Sequence, residues 1–411
     1  PLPNLEFKFV AANSLIGLPK IASQSAFGVT DTVKRLKELR ETYLSSFAAD
    51  KKQIEKDFRA TQQRLFKENV EWAVSDSLVK QLTEWDPFSY ESCKWFDPEW
   101  MFGVSGGFDV VIANPPYMDS ELMVNLGLSD IRDKIQNTYV TTKGNWDIYI
   151  AFVEMGFKMM NTHGVLTYIT PDKWISKPFG DALRSATINN IYRIVRSGRD
   201  VFESSNVDSI ISFFSNAKQP ILTILDSEKD QFIFKRQINK NTLRPPFYLD
   251  FLFSEHIEIL LKIESIRGTI SDLAYCENAC ATSDAYKLKP LVKETNGVFN
   301  NGMHLKIINT GTIGKYSAKW GRREMTYLGD KYLYPLIDRR RFLQLFQNSY
   351  GIKSVQPKII IKGLNLLDAC LDSEGVIIPG KSTLMIADSN ENKLMFLLSI
   401  ISSRYSFQRF D

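Results

Sequence analysis

The 411-residue sequence holds only four cysteines and three histidines. Cys93, Cys276, Cys280 and Cys370 show neither the spacing of a metal site nor a disulfide framework, and the histidines are too few for a zinc centre. No apolar run approaches the ~18 residues needed to span a bilayer. The first residues, PLPNLEFKFV, lack the basic and apolar regions of a signal peptide. These absences point to the cytoplasm. No internal repeat and no low-complexity tract is visible. Charge of one sign is also scarce: the formal net charge of +4 is too small by itself to imply nucleic-acid binding, so its distribution matters more. Apolar and charged contents of 44% and 24% are those of an ordinary globular protein with room for two or three domains.

What stands out is FDVVIANPPY, Phe108 to Tyr117. The apolar run Val110–Ala113 does not alternate, which predicts a strand buried on both faces, as in a parallel sheet. Two prolines follow, and neither has an amide hydrogen with which to continue a central strand. The strand must end at Asn114 in a stiff turn. Open α/β sheets bind ligands outside the carboxyl ends of their strands. There the Asn114 side-chain oxygen and the Pro115 main-chain oxygen offer two acceptors to one planar amine, and Tyr117 offers a ring on which a flat group can stack. A rigid turn without chemistry is the alternative for Asn114, Pro115, Pro116 and Tyr117.

Around this motif the sequence alternates. LEFKFVAANSLIGLP reads as a buried strand over Phe7–Ala11 entering a polar turn at Asn13-Ser14, so the chain is expected to open inside a domain. From Asp31 to about Trp72 apolar residues recur every three or four positions (Val33, Leu36, Leu39, Tyr43, Phe47, then Ile54, Phe58, Leu65, Val74), which predicts a helical hairpin. Ten cations against eight anions between Asp31 and Glu71 make it a solvated one. The aromatic-rich loop TEWDPFSYESCKWFDPEWMFGVSGG is expected to cover the sheet. Beyond Tyr117 come a helix stopped at Gly164, a strand ended by Pro171, a helix over PFGDALRSATINN, and strands at IYRIVRSG and DSIISFFSN. This βα alternation implies a mostly parallel, doubly wound α/β sheet, with a second domain after about residue 250.

The pattern GFDVVIANPPY…GNWDIYIAFVEMG…HGVLTYITPDKWI…GDALRSAT…VF resembles the N6-adenine DNA methyltransferases of type II, especially type IIG, restriction–modification systems. The resemblance implies a class I methyltransferase-like domain, incomplete at its start, over 1–20 and 101–250. It further implies a helical insertion over 21–100 and a mixed α+β target-recognition domain over 251–411, trimmed at its end. It implies S-adenosylmethionine as cofactor and double-stranded DNA as partner. Asn114 and Pro115 would hold the adenine amine and Tyr117 would stack on the flipped base. Asn13, where many members have Asp, would meet the cofactor's adenine together with Ser14, with Asn114 also beside the cofactor. Asp147 and Tyr149 would support the pocket, and Tyr275 is the candidate for a second stacking aromatic. The family's glycine-rich cofactor loop and its ribose-binding acid are missing, and no nuclease carboxylate cluster is evident. The expectation is therefore a fragment that binds cofactor weakly and is inactive alone.

From Gly302 to Lys362 twelve cations face three acids. They are Lys306, Lys315, Lys319, Arg322, Arg323, Lys331, Arg339, Arg340, Arg341, Lys353, Lys358 and Lys362, interleaved with aromatics. This is the footprint of a phosphate-binding surface, and QPKIIIKGLNLLDACLDSEGVIIPGKSTLMI resembles the target-recognition part of the same enzymes. Two rivals stay open: methylation of a glutamine amide or rRNA base, and a DNA-binding specificity module without catalysis.

Overall fold

The computed structural model describes residues 6–18, 27–68, 78–89, 91–198, 208–228, 231–266, 268–363 and 367–403. It forms two compact units, residues 1–250 and 251–411.

The first unit opens with helices α1 (Phe27–Ser45), α2 (Ala48–Glu68), α3 (Leu78–Glu84) and α4 (Pro98–Phe102). Leu36, Leu39 and Tyr43 of α1 and Ile54, Phe58 and Leu65 of α2 are buried in one cluster, as their helical spacing predicts. Phe47 is 86% exposed, because α1 ends at Ser45 and the face does not continue. Val74 lies outside the described residues. Trp85, Trp95 and Trp100 join this same cluster, so most of the aromatic loop packs with the helices, while Phe102 meets Phe108 of the sheet edge-on at 6.3 Å. Phe7–Ala11 is not a strand. Phe7 occupies a turn at φ +59°, with its ring edge-on to Tyr43, Phe58, Trp85 and Phe88 at 5.6–5.9 Å. Burial of that ring among the helices prevails over strand pairing. Ala12 forms an isolated bridge with Cys93.

A six-stranded sheet follows. Its elements are β1 (Phe108–Ala113), α5 (Ser120–Asn125), α6 (Ser129–Thr138), α7 (Ile148–Met159), β2 (Met160–Pro171), α8 (Asp181–Thr187), β3 (Ile191–Gly198), β4 (Ser209–Ser215), β5 (Ile221–Glu228) and β6 (Gln231–Asn239). The order is β1-β2-β4-β3-β5-β6. Pairs β1–β2 and β3–β5 are parallel, and β2–β4, β3–β4 and β5–β6 are antiparallel. Hence β1, β2, β3 and β5 run one way, and β4 and β6 run the other. The reversals fall where no helix intervenes among the described residues, since a parallel pair needs a long crossover. Four of the six strands share one direction, but three of the five pairs are antiparallel, so the sheet is a mixed α/β one that contains parallel pairs rather than the mostly parallel one the βα alternation implies.

One face of the sheet is covered by α7. A Cβ on Gly156 would sit 2.4 Å from Leu166 Cδ1 and 2.8 Å from the Tyr168 hydroxyl, so glycine lets this helix lie close on β2 without displacing those side chains. Phe157 meets Phe214 at 5.4 Å and Trp174 covers the same face. The other face is not covered by any described residue at β1: Val110 and Ile112 are 54% and 74% exposed. Among the described residues the strand expected to be buried on both faces is instead an edge strand, paired on one side with β2. The helix expected to stop at Gly164 ends at Met159, and Gly164 lies inside β2. A Cβ there would meet Phe108 O at 2.8 Å, which explains the glycine as a close approach of β2 to β1 rather than a helix stop.

The second unit contains α9 (Ile257–Ser265), α10 (Ile270–Leu273), β7 (Glu277–Asn278), α11 (Thr282–Leu288), β8 (Lys293–Glu294), β9 (His304–Ile308), β10 (Ile313–Gly314), β11 (Ser317–Ala318), β12 (Met325–Tyr327), β13 (Asp330–Tyr332) and β14 (Pro335–Asp338). Next come α12 (Arg339–Leu345), α13 (Ser349–Ser354), β15 (Lys358–Lys362), β16 (Ala369–Asp372), β17 (Ile377–Pro379), β18 (Thr383–Ala387) and α14 (Glu391–Ile401). Two four-stranded sheets, β17-β9-β14-β8 and β16-β15-β18-β7, carry separate apolar cores.

Candidate active site

β1 and β2 run parallel, so their carboxyl ends emerge side by side. Asn114 is exposed at the end of β1, Pro115 is buried, Pro116 is exposed and Tyr117 is half-buried. Downstream the turn is clamped. Ser120 N–H donates to Trp146 O and Ile148 N–H to Met118 O, each at 2.8 Å. The Asp147 carboxylate, at the N-cap of α7, accepts from Met118 N–H at 3.0 Å. Tyr149 follows on α7 with its side chain fully buried, its ring edge-on to Tyr117 at 6.4 Å. Tyr117 O–H donates to Asn114 Oδ1 at 3.1 Å. Asn114, Tyr117, Asp147 and Tyr149 thus form one cluster.

Burial dominates its electrostatics. It pushes the Asp147 carboxyl up to about 6 against the pull of the Met118 and Tyr149 amides, with Asp119 adding to the rise and Lys173 opposing it. Burial also raises the Tyr117 and Tyr149 phenols, with Asp147 contributing to both. Among the described residues the Tyr149 hydroxyl has no hydrogen-bond partner.

Sequence reasoning missed the group after β2. Asp172 N–H donates to Asp208 O at 3.0 Å, and its carboxyl is raised first by burial and then by Asp208. Asp172 acts on Tyr149 and Lys173 on Asp147, so this loop borders the turn. Trp174 Nε1–H donates to Thr170 Oγ1 at 3.1 Å. The signal was available: Pro171 ends a second strand parallel to the first, and polar residues follow it at once.

Asn13 and Ser14 lie in a turn held by Asn13 N–H to Cys93 O at 2.9 Å, with Asn13 Oδ1 accepting from Leu15 N–H at 3.2 Å. Leu15 packs with Trp146, and its carbonyl accepts from Tyr139 O–H at 3.0 Å. This seats the turn on the layer that carries Asp147. Among the described residues no hydrogen bond joins Asn13 or Ser14 to Asn114.

In the second unit the twelve cations separate by environment. Lys358 is fully buried and paired with Asp372, so it is a core ion pair and no part of a surface. Lys331 pairs with Glu324 and Lys353 with Glu277. Lys306 Nζ sits over the rings of Phe299 and Trp320 at 4.2 and 5.1 Å. Lys315, Arg322, Arg323, Arg340 and Arg341 are exposed, and Lys319, Arg339 and Lys362 are half-exposed. Tyr275 is 74% exposed, with Lys353 Nζ 5.6 Å from its ring centroid.

The described residues hold no group of histidines, cysteines or acids arranged to bind a metal ion, and no helix long and apolar enough to cross a membrane. Residues 19–202 match the family described as Eco57I restriction-modification methylase. Type II methyltransferase M.PaeR7I of Pseudomonas aeruginosa is 35% identical over 82 residues, 20% of this chain and 14% of that protein. Type II restriction enzyme and methyltransferase RM.Eco57I of Escherichia coli is 22% identical over 203 residues, 46% of this chain and 20% of that protein. The chain thus spans a minor part of both relatives. Among solved structures, the type IIL restriction-modification enzyme MmeI in complex with DNA aligns with a TM-score of 0.43 at 10% identity, over 72% of this chain and 42% of that one. Over residues 19–202, the region that carries the Asn-Pro-Pro-Tyr turn, the chain is similar to the Eco57I restriction-modification methylase family, and over parts of its length to type II methyltransferases.

Proposed function

We propose that the turn at Asn114–Tyr117 holds the exocyclic amine of an adenine in DNA for methylation at N6, and that the second unit grips the duplex. The observation that carries this reading is the exposed Asn114 carboxamide at a strand end whose downstream turn is clamped by Asp147. The lone pair of an adenine amine is delocalised into the ring, so the nitrogen is a poor nucleophile. Acceptors on both amine hydrogens, from Asn114 and the Pro115 carbonyl, favour the pyramidal nitrogen of the attacking state. This is preorganised electrostatics and positioning rather than covalent catalysis. The Tyr117 ring gives the base, once flipped from the duplex, a face to stack on.

S-adenosylmethionine, when bound, supplies an electrophilic methyl group. The described residues fit it only in part. Asn13, Ser14 and Asn114 are the residues to which the resemblance assigns contacts with it. No glycine-rich turn among the described residues leads from a strand into a helix. Gly103, Gly106 and Gly107 precede β1, and a Cβ on Gly107 would collide with the backbone of Asn161 and Met160 at 2.7 Å. Tight cofactor binding by these 411 residues alone is therefore not expected, and titration calorimetry showing stoichiometric binding would overturn that expectation.

The test of the reading uses the full-length gene product with a labelled methyl donor and duplex DNA, followed by nucleoside analysis. N6-methyladenine is the expected product. Label on cytosine, on RNA or on a protein amide instead would remove the adenine assignment.

A further inference from the structure

We propose that Arg322 and Arg323 read base edges, and that the other exposed cations of the second unit hold the backbone. The inference rests on the DNA reading above and divides its cations by how they are mounted.

The turn that carries the two arginines, Lys319–Arg323 between β11 and β12, is fixed from several sides. Lys319 N–H donates to Thr312 O at 2.8 Å, and Arg322 and Arg323 N–H both donate to Lys319 O at 3.0 Å. Gly321 N–H donates to Leu333 O at 3.0 Å. Beneath it Trp320 Nε1–H donates to Pro335 O at 2.8 Å. The Trp320 ring packs against Tyr334 at 5.3 Å and Phe299 at 6.4 Å, and Lys306 lies over Phe299 and Trp320. Gly321 sits at φ +70°, and a Cβ on it would meet Tyr334 at 2.5 Å. The turn therefore needs glycine twice, for its conformation and for its seat on the aromatic bracket.

From this mount Arg322 and Arg323 project into solvent. Among the described residues neither makes an ion pair, and the neighbouring carboxylate, Glu324, is taken by Lys331 at 2.9 Å. A guanidinium presents a planar fork that matches the O6/N7 pair of guanine in the major groove, and such readout is sharpest from rigid supports. Phosphate binding makes no such demand, because a flexible charge suffices. Two unpaired forks on a braced turn fit the first task.

The experiment uses the 411-residue chain and two measurements: selection from a randomised duplex library, and affinity for one fixed duplex across a salt series. Arg322→Lys and Arg323→Lys keep the charge and lose the fork. They are expected to relax the selected sequence at one or more base pairs, by about tenfold or more in preference, while the salt slope stays at the parental value. Gly321→Ala, which leaves every charge in place, should relax it in the same way, with its circular dichroism confirming an intact fold. Arg340→Ala and Arg341→Ala should lower affinity and salt slope without changing the selected sequence. An unchanged selection profile in both lysine variants overturns the assignment. So does a parent that binds duplex without sequence preference, a result that leaves DNA binding standing. A parent that binds no duplex removes the DNA reading and this inference together.

Discussion

At Asn114 the proposed chemistry rests on one carboxamide oxygen. Replacing it with Ala removes one of two preorganised acceptors, a loss that typically costs about 3 kcal/mol at the transition state. In the full-length gene product Asn114→Ala is expected to slow methylation about a hundredfold, measured by label incorporation, with DNA affinity unchanged. Asp147 makes a different demand. Its carboxyl is raised by burial from the ordinary 3.8 to about 6, so the unfolded chain releases this proton before the folded one does. Stability present at low pH is therefore lost as pH rises from about 4 through 6, by up to about 3 kcal/mol. Asp147→Asn cannot titrate. Between pH 4 and pH 7 the melting temperature of the variant should gain on the parent, and a constant difference would contradict the assignment. Lys358 belongs to stability alone. Breaking its buried pair with Asp372 typically costs about 3–5 kcal/mol, so Lys358→Met should lower the melting temperature markedly.

Secondary structure is legible where the pattern is local, and less so where it depends on neighbours. Leu36, Leu39 and Tyr43 fall on one helical face at their own spacing, and Pro171 ends β2 by its own chemistry. The apolar run of β1 reads as central because nothing in Val110–Ala113 encodes the rank of a strand within its sheet. Gly164 reads as a helix stop because its partner, the carbonyl of Phe108, is far away in sequence. The turn at Asn114 is legible from its prolines. Asp172 and Asp208 are not, because they meet only once β2 and β4 are paired. The edge position of β1 has a measurable result. A long apolar edge with free backbone groups is a template for pairing with another chain. The 411-residue chain is expected to self-associate with concentration in analytical ultracentrifugation, and Ile112→Lys should reduce it. A concentration-independent monomer would show that the edge is shielded.

Across the whole molecule the charge is nearly balanced, yet twelve cations and three acids share sixty-one residues of the second unit. Three of the cations, Arg339–Arg341, occupy the first turn of α12, where the helix dipole disfavours positive charge. That placement subtracts from stability, which suits a surface kept for a partner. Replacing all three with Ala should weaken duplex binding and flatten its log–log salt slope by about 0.9 for each phosphate no longer neutralised. A triple variant that binds as the parent does would place the cluster outside the interface. At the site itself, the hydrogen bond from Tyr117 to Asn114 acts as a latch on the turn. On the proposed reading, the acceptor assigned to the amine is engaged by the hydroxyl of the residue assigned to stack on the base. Such a bond is worth about 1 kcal/mol net, a factor of about five in population, and side chains change rotamer in picoseconds to nanoseconds. Enzymes typically turn over in milliseconds or longer. On the proposed reading the latch therefore sets a small threshold that an arriving base must exceed, and it opens far faster than a typical turnover.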